Sequence, residues 1–480
     1  MAPLTSWLPV RSNQAFDFVV KIVGAPASGL AQGWTRIARS LARQGLSVMT
    51  QTGRLNGRFG EYVLDIRLAT RPFYSMGHGC DVLVYLGKAV PDCRRFGLQP
   101  GSLLLWDPSS DPRSYPMLPS GVVAYPVPFK ALSIQSREEL DGKGCAALGA
   151  LLHVLGISED TLHEWAASVS APRSFASGVA FARDEIEKRD AYSIPSVRPD
   201  GRSGLLLSCE QAILLGYGVS ACQCRTGCEI DLVTSPARWT AQHLSLAGPM
   251  VSLLASDGYP GMQVYRGPQG KVLALLRGNN SAMASCLKAF RSPTIFVAAD
   301  VPDVIRLVKA GHHLIRNGLS DGVGVLIEDG LASRQQSIDT WTLADWIRPR
   351  NSFDPDRDGL AQSDAQNTMI EREGDAEADI GFVAWGTVQG VVRDAVALCR
   401  SFGLNVAGLY PRRIMPFHHE DIESFAKTVD RLVIVESSWT QGYWKWIRPP
   451  FSCDYATLTP PQGRPLTPMD IFLREGLGAV

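Results

Sequence analysis

The sequence has no long hydrophobic run and no excess of charge of either sign. No stretch reaches the roughly eighteen apolar residues of a membrane-spanning helix. The opening MAPLTSWLPVRSNQAFDF also lacks the basic and apolar regions of a signal peptide. Lys+Arg and Asp+Glu both number 47, so no overall field favours nucleic acid or an anionic membrane. Ten scattered cysteines indicate reduced thiols. We therefore expect a cytoplasmic protein with no nucleic-acid partner and no membrane span.

Length and composition predict a globular chain of several domains. The 480 residues suffice for about three domains of ordinary size. A hydrophobic fraction of 45% and a charged fraction of 20% are typical of folded proteins. Changes in patterning place a first domain at 1–175, a linker at 176–202, a second domain at 203–335, a polar linker or excursion at 336–378 and a third domain at 379–480.

The first domain shows an α/β pattern. FDFVVKIVG, residues 16–24, is typical of a buried parallel strand, and the spacing of apolar residues over 34–44 predicts a helix. Further strand candidates are SVMTQT, YVLDIRLA, CDVLVYLG, GSLLLWD and GVVAYPVP. Residues 145–169 predict helix with a break near Gly156 and a cap at Ser158. The 176–202 segment is charged, contains Pro and Gly, and has little apolar periodicity.

The second and third domains repeat the strand and helix alternation. PTIFVAAD, VPDVIRLVKAGHHLIRNGL and GVGVLIEDG predict strand, helix and strand in the second domain. IGFVAWG, LNVAGLYP and RLVIVESS predict three parallel strands in the third, joined by the helices VVRDAVALCRSFG and HEDIESFAKTV. We predict an α/β protein with three open-sheet domains.

Several motifs occur in an order that resembles one enzyme family. In the first domain they are the turn from Gly24 to Gly29, LNGRFGEY at 55–62 and Lys143 before a helix of small residues; in the third they are WGTVQGVVRDA, RRIMPFHHEDI and IVESSWTQG. In order and spacing these segments resemble the fused γ and α parts of a 2-oxoacid:acceptor (ferredoxin-type) oxidoreductase, in divergent form.

The resemblance implies a fold, an activity and partners. The three domains would be a γ-type domain, a degenerate pyrimidine-binding (thiamine-fold) domain and a transketolase C-terminal-like domain. The activity would be oxidative decarboxylation of a 2-oxoacid to an acyl-coenzyme A, with coenzyme A as co-substrate. Thiamine diphosphate and Mg would be shared with or held by a β-type partner subunit that also carries an iron–sulfur cluster. The electron acceptor would be ferredoxin-like or another carrier.

The resemblance also implies site residues in the first domain. The cofactor-binding set for coenzyme A comprises Gly24, Ser28, Gly29, Arg58 and Lys143. Backbone amides at the start of a helix can hold an anion, which suits the turn after the first strand. The simpler alternative is that these glycines only turn a strand into a helix.

In the second domain the resemblance assigns substrate-binding residues to GCEIDLVTS, which stands where the family has Tyr-Pro-Ile-Thr-Pro. These residues are Cys228, Glu229, Thr234 and Ser235. We can assign no counterpart to the glutamate that activates thiamine in the family, and no catalytic residue. Two other functions therefore stay open: a non-catalytic scaffold subunit, and a divergent thiamine-dependent enzyme with an unusual substrate.

Other clusters are interpreted as structural. CQCRTGC at 222–228 supplies three cysteines where a zinc or iron–sulfur site needs four, so we expect no metal and no iron–sulfur cluster in this chain. The pairs Asp257-Gly258 and Asn279-Asn280 imitate a magnesium and diphosphate spacing that the family places on its β subunit. The adjacent histidine pairs at 312–313 and 418–419 are interpreted as surface or capping residues. The aromatic cluster at 439–446 suits either an interface or a core.

Overall fold

The computed structural model describes most of the chain in segments. They are residues 16–24, 28–54, 61–87, 91–93, 95–108, 116–138, 141–194, 204–222, 262–266, 272–277, 293–316, 320, 322–340, 343, 369–437, 455–461 and 464–476. Internal contacts divide the chain into two units. One comprises Met1–Leu206 with Gln335–Trp341, and the other Leu207–Arg334 with Thr342–Val480.

The first unit is built on a sheet of eight strands. In chain order its elements are β1 Asp17–Gly24, α1 Ser28–Arg43, β2 Ser47–Arg54, β3 Tyr62–Ala69, β4 Cys80–Tyr85, β5 Leu98–Trp106, β6 Val123–Pro126, α2 Phe129–Gln135, α3 Gly142–Val154, α4 Glu159–Ala166, α5 Pro172–Glu185, β7 Gly204–Ser208 and the returning strand β12 Arg334–Asp339. The strand order is β6-β5-β4-β1-β3-β2-β12-β7. Strands β1, β4, β5 and β6 run parallel, and β3 runs antiparallel to β1 and β2.

One face of this sheet is covered by helices because their apolar stripes match it. In α1 the buried residues Leu30, Trp34, Ile37 and Leu41 recur at helical spacing and join the main core. Helix α3 is buried along almost its whole length. It approaches α5 so closely that a Cβ on Gly149 would lie 2.2 Å from the carbonyl oxygen of Phe175. A side chain at this position has no room.

The predictions for the first unit are largely confirmed. All the proposed strands occur, and α1 begins at Ser28 rather than near residue 34. Helices α3 and α4 are separated at Gly156, and Ser158 caps α4 by accepting a hydrogen bond from the Thr161 amide at 3.4 Å.

Two stretches predicted as linkers contain regular structure. Residues 172–185 form helix α5, so the expectation of little regular structure was wrong for 176–185. Residues 334–339 form a strand within the eight-stranded sheet, and the amide of Val48 donates to Ser337 Oγ at 2.8 Å. The stretch at 336–339 is therefore no excursion. The prediction was wrong because most residues of this strand are polar. Alternate side chains, such as Gln336 and Ile338, are nevertheless buried, as in a strand with one covered face.

The second unit contains two further open sheets. Its elements after β7 are α6 Cys209–Cys222, β8 Met262–Arg266, β9 Val272–Arg277, β10 Pro293–Val297, α7 Val301–Arg316, β11 Gly322–Ile327, α8 Asp329–Ala332, β13 Ile370–Gly374, β14 Ala378–Ala384, α9 Val388–Ser401, β15 Val406–Pro411, β16 Arg413–Met415, α10 His419–Ala426, β17 Val429–Val435, β18 Tyr455–Leu458, α11 Pro468–Ile471 and a π-helical turn Phe472–Gly476. The sheets have the orders β16-β10-β11-β9-β8 and β13-β15-β14-β17-β18.

The strand and helix predictions for this unit are confirmed where the structure describes them. Strands β9, β10 and β11 are parallel, as are β14, β15, β17 and β18. The α/β class with three open sheets is therefore as predicted. Within the described part of the chain, each helix is too short or too polar to cross a membrane. The domain limits at 175, 202, 335 and 378 stay predictions.

Candidate functional site

The carboxyl edge of the first sheet brings β1, β4 and α3 together around Leu86. The Leu86 amide donates to the carbonyl oxygen of Val23 at 2.6 Å, and its own carbonyl oxygen accepts from Lys143 Nζ at 2.9 Å. A Cβ on Gly24 would lie 2.6 Å from Leu86 Cβ. Glycine is therefore required at position 24, because the end of β1 lies directly against the residue that follows β4.

Lys143 is a partly buried cation in the first turn of α3. Its side chain is 29% exposed, and Nζ lies 3.9 Å from Asp107 Oδ2. Burial lowers the pKa of Lys143, the carboxylate of Asp107 opposes this effect, and the positive charge of Lys130 adds to it. The ammonium group is thus held beside the ends of β1, β4 and β5, where open α/β sheets bind ligands.

Asp107, which follows β5, is the residue of this edge that sequence reasoning missed. Its side chain is 1% exposed, and Oδ2 accepts a hydrogen bond from the Lys130 amide at 2.9 Å. The signal was present in GSLLLWD, where a carboxylate directly follows a buried strand, at the position where parallel sheets gather functional groups.

A tyrosine and a glutamate form a second pair on the same edge. Tyr85 Oη, at the end of β4, donates to Glu61 Oε1 at 3.0 Å. Burial and, after it, the neighbouring Glu61 carboxylate raise the pKa of Tyr85 to about 12, so the phenol stays protonated at neutral pH. A Cβ on Gly87 would lie 2.3 Å from Tyr85 Oη, which requires glycine beside the ring.

The structure brings two of the five predicted coenzyme A residues together. Gly24 and Lys143 meet through Leu86, and Ser28 and Gly29 are the first two residues of α1. Arg58 lies outside the described residues. So do all four predicted substrate-binding residues: Cys228, Glu229, Thr234 and Ser235. The same is true of Cys224, of the pairs Asp257-Gly258 and Asn279-Asn280, and of the aromatic cluster at 439–446.

In the second unit, the Glu328 carboxylate connects the ends of three strands by hydrogen bonds. This residue follows β11. Its carboxylate accepts a hydrogen bond from the Thr387 amide at 2.8 Å, another from the Thr387 hydroxyl, and one from Ser437 Oγ at 2.6 Å. Thr387 belongs to the turn after β14, and Ser437 follows β17. The WGT and ESS motifs of the third domain therefore converge on one carboxylate of the second.

The turn before Thr387 is shaped by close approach. Gly386 has a φ of +64°, and a Cβ there would lie 3.0 Å from Val297 Cγ1 and 3.1 Å from Glu328 Oε2. Glycine is favoured both by its left-handed backbone and by the lack of room. The Trp-Gly-Thr motif is thus explained by local geometry.

A buried ion pair forms a second connection inside this unit. Arg412 Nε donates to Asp303 Oδ1 and Oδ2 at 2.9 and 3.0 Å, and Nη2 donates to Glu371 Oε2 at 2.8 Å. Arg393 Nη2 lies 2.7 Å from the same Glu371 oxygen. The Arg412 and Asp303 side chains are 6% and 2% exposed, so both buried charges need partners, and Arg306 Nη1 lies 3.6 Å from Asp303 Oδ1 as well.

The predicted surface role of His418 was wrong. Its side chain is 4% exposed, and Nδ1 lies 2.9 Å from Asp421 Oδ2. Burial and Arg413 lower the pKa of His418, so the ring is neutral at pH 7. It precedes α10 without capping the backbone of that helix. Among the residues with described positions, no three His, Cys, Asp or Glu side chains are placed to hold a metal ion.

Comparison with known proteins finds a family match in the carboxy-terminal part of the chain. The pyruvate:ferredoxin oxidoreductase core domain II family matches residues 378–447, the segment that contains Thr387 and Ser437. The Thr387 and Ser437 groups that donate to Glu328 therefore lie in a segment similar to this core domain.

A solved structure matches the fold of nearly the whole chain. The 2-oxoglutarate:ferredoxin oxidoreductase from Magnetococcus marinus, solved with 2-oxoglutarate, coenzyme A and succinyl-CoA bound, superposes with a TM-score of 0.73 at 21% identity. The match covers 95% of this chain and 98% of that one. The chain thus has the fold of a 2-oxoacid:ferredoxin oxidoreductase from the first sheet to core domain II. No curated protein matches it by sequence.

Shorter solved structures match about a third of the chain. The keto/oxoacid ferredoxin oxidoreductase γ subunit from Geobacter sulfurreducens covers 35% of this chain with 98% of its own length, at 17% identity and a TM-score of 0.28. The pyruvate oxidoreductase subunit PORC from Thermotoga maritima covers 35% with 94% of its own length, at 14% identity and a TM-score of 0.27. These TM-scores are too low for either likeness to carry weight.

Proposed function

We propose that this chain is the α-type subunit, with a fused γ domain, of a 2-oxoacid:acceptor oxidoreductase complex that forms an acyl-coenzyme A. In this proposal coenzyme A binds at the carboxyl edge of the first sheet. A β-type partner subunit holds thiamine diphosphate with Mg and an iron–sulfur cluster, and a ferredoxin-like protein or another carrier accepts the electrons. The complex works in the cytoplasm.

The observation that carries the proposal is the convergence of Gly24, Leu86, Asp107 and Lys143 on one sheet edge, in a chain with the fold of this family. Coenzyme A is a polyanion, and a partly buried ammonium group beside a helix start is the kind of donor that binds phosphoryl oxygens. Gly24 allows the backbone of β1 to come close to Leu86, which fixes the Lys143 ammonium at this edge.

The proposed roles of the other predicted residues follow the same scheme. Ser28, Gly29 and Arg58 add donors for coenzyme A, and Cys228, Glu229, Thr234 and Ser235 face the 2-oxoacid. Thiamine diphosphate supplies the carbanion chemistry of decarboxylation when it is bound.

Two measurements test the proposal. Titration calorimetry of the purified chain with coenzyme A should give saturable binding, and purification of the tagged chain from its host should recover a β-like subunit with thiamine diphosphate. That complex should reduce a viologen dye when given a 2-oxoacid and coenzyme A. A partner without thiamine and without dye reduction would favour the scaffold function, and recovery of no partner would remove the subunit assignment.

A further inference from the structure

One carboxylate on the edge of the first sheet contacts two lysines, one through its backbone amide and the other through its side chain. Asp107 Oδ2 accepts a hydrogen bond from the backbone amide of Lys130 at 2.9 Å, and the same oxygen lies 3.9 Å from Lys143 Nζ. Lys130 is in the first turn of α2, and Lys143 is in the first turn of α3. A single buried carboxylate thereby fixes the starts of two helices with their lysines on the same edge.

The two cations differ in their surroundings. Lys143 is partly buried and donates inward to the carbonyl oxygen of Leu86, whereas Lys130 is exposed. Their charges interact, because the positive charge of Lys130 opposes protonation of Lys143. Asp107 compensates only one of the two charges. The two lysines and the carboxylate together therefore have a formal charge of one positive unit, with Lys143 partly buried and Lys130 exposed to solvent.

We propose that Lys130 is a second phosphoryl-binding residue of this edge and contacts the 3′-phosphate of coenzyme A, while Lys143 contacts the diphosphate; the inference rests on the proposed coenzyme A site. The 3′-phosphate is a peripheral monoester with up to two negative charges. It suits an exposed cation at the rim. The diphosphate lies inside the ligand chain and suits the more enclosed ammonium of Lys143. Sequence reasoning assigned no role to Lys130, because its position beside Lys143 arises only from the folded sheet.

The test compares coenzyme A with 3′-dephospho-coenzyme A by titration calorimetry on the full chain. The variant is Lys130→Gln, which keeps the backbone amide that bonds to Asp107, so the fold should be retained. Lys427→Gln is the matched control, because Lys427 directly follows α10 in the other unit and its side chain is 71% exposed. For Lys130→Gln we expect affinity for coenzyme A to fall about tenfold, as for the loss of one charge-assisted hydrogen bond, with little change for the dephospho compound.

The preference for coenzyme A over its dephospho analogue should therefore shrink in Lys130→Gln and stay at the wild-type value in Lys427→Gln. An unchanged preference in Lys130→Gln, with coenzyme A still bound by the wild-type chain, would overturn the role of Lys130 and leave the proposed function intact. Absence of coenzyme A binding by the wild-type chain would remove both. A loss that is equal for the two ligands would assign Lys130 to the diphosphate and contradict the 3′-phosphate contact.

Discussion

Lys143 Nζ donates a 2.9 Å hydrogen bond to the carbonyl oxygen of Leu86, the residue against which Gly24 lies. The two members of the predicted coenzyme A set that are described in full are therefore joined by a third residue that no motif indicated. This arrangement places a cation at the end of β1 and β4. It also makes the charge of Lys143 depend on its burial and on Asp107.

The first prediction concerns the pH dependence of coenzyme A binding. Burial places the pKa of Lys143 below its ordinary value of 10.5. Binding of a polyanion needs the protonated form, so affinity should be full below that lowered pKa and fall as the pH rises through it. Asp107→Asn removes the negative charge that favours the protonated form of Lys143. The pKa of Lys143 should then fall further, and the loss of coenzyme A affinity should begin at a lower pH. Desulfo-coenzyme A is the suitable ligand, because it has no thiol to titrate.

Lys143→Gln provides the control for this titration. Its affinity should be reduced about tenfold or more at neutral pH and should lack the same fall at alkaline pH. Parallel pH curves for wild type, Asp107→Asn and Lys143→Gln would show that Lys143 does not contact the ligand.

The second prediction concerns the buried ion pair of Arg412. Arg412→Met removes the hydrogen bonds from Arg412 Nε to the buried Asp303 carboxylate and leaves the longer 3.6 Å pair with Arg306, so the free energy of unfolding of the second unit should fall by about 3–5 kcal/mol. Arg400→Met is the control, because the Arg400 and Asp375 side chains are 45% and 56% exposed and their 3.4 Å pair should contribute at most about 1 kcal/mol. Urea denaturation measures both. An equal decrease in the free energy of unfolding for Arg412→Met and Arg400→Met would contradict a stabilising role of the buried ion pair.

The third prediction concerns the Glu328 carboxylate, which connects the ends of β11, β14 and β17. Thr387→Val removes one hydroxyl donor to Glu328 but keeps the backbone amide, and should destabilise the second unit by about 1–2 kcal/mol. Glu328→Ala removes all three acceptor contacts and should cost more. A double variant should be less destabilised than the sum of the single variants, because both changes remove the same bond. Additive losses in urea denaturation would indicate that Thr387 and Glu328 act separately.

The fourth prediction concerns the contact between α3 and α5. A Cβ on Gly149 would lie 2.2 Å from the Phe175 carbonyl oxygen, so Gly149→Ala should force the helices apart and destabilise the first unit by at least about 2 kcal/mol. Gly53→Ala is the matched control, because no heavy atom lies within 4 Å of a Cβ at that position. The control should be neutral or slightly stabilising. Thermal unfolding with the same result for both variants would contradict the close approach.

Much of the fold could be predicted because local patterns report burial. The apolar spacing of α1 indicated a helix, and the β-branched run of β1 indicated a buried parallel strand. The order of these elements along the chain predicted open parallel sheets. Gly24 and Lys143 were singled out through the family resemblance, and their role in binding coenzyme A stays a prediction.

Other features depended on residues that are distant in sequence. Strand β12 returns to the first sheet after more than a hundred intervening residues, and its polar sequence gave no indication of this pairing. Asp107, Lys130 and Glu328 acquire their roles from strand and helix ends that only the folded sheets bring together.

By itself, the sequence determined the alternation of strands and helices, the α/β class and the motifs between residues 378 and 447, since each follows from neighbouring residues. The tertiary structure decided which charges meet, because the positions of Lys143, Asp107, Arg412 and Asp303 depend on strand order and helix contacts across long separations.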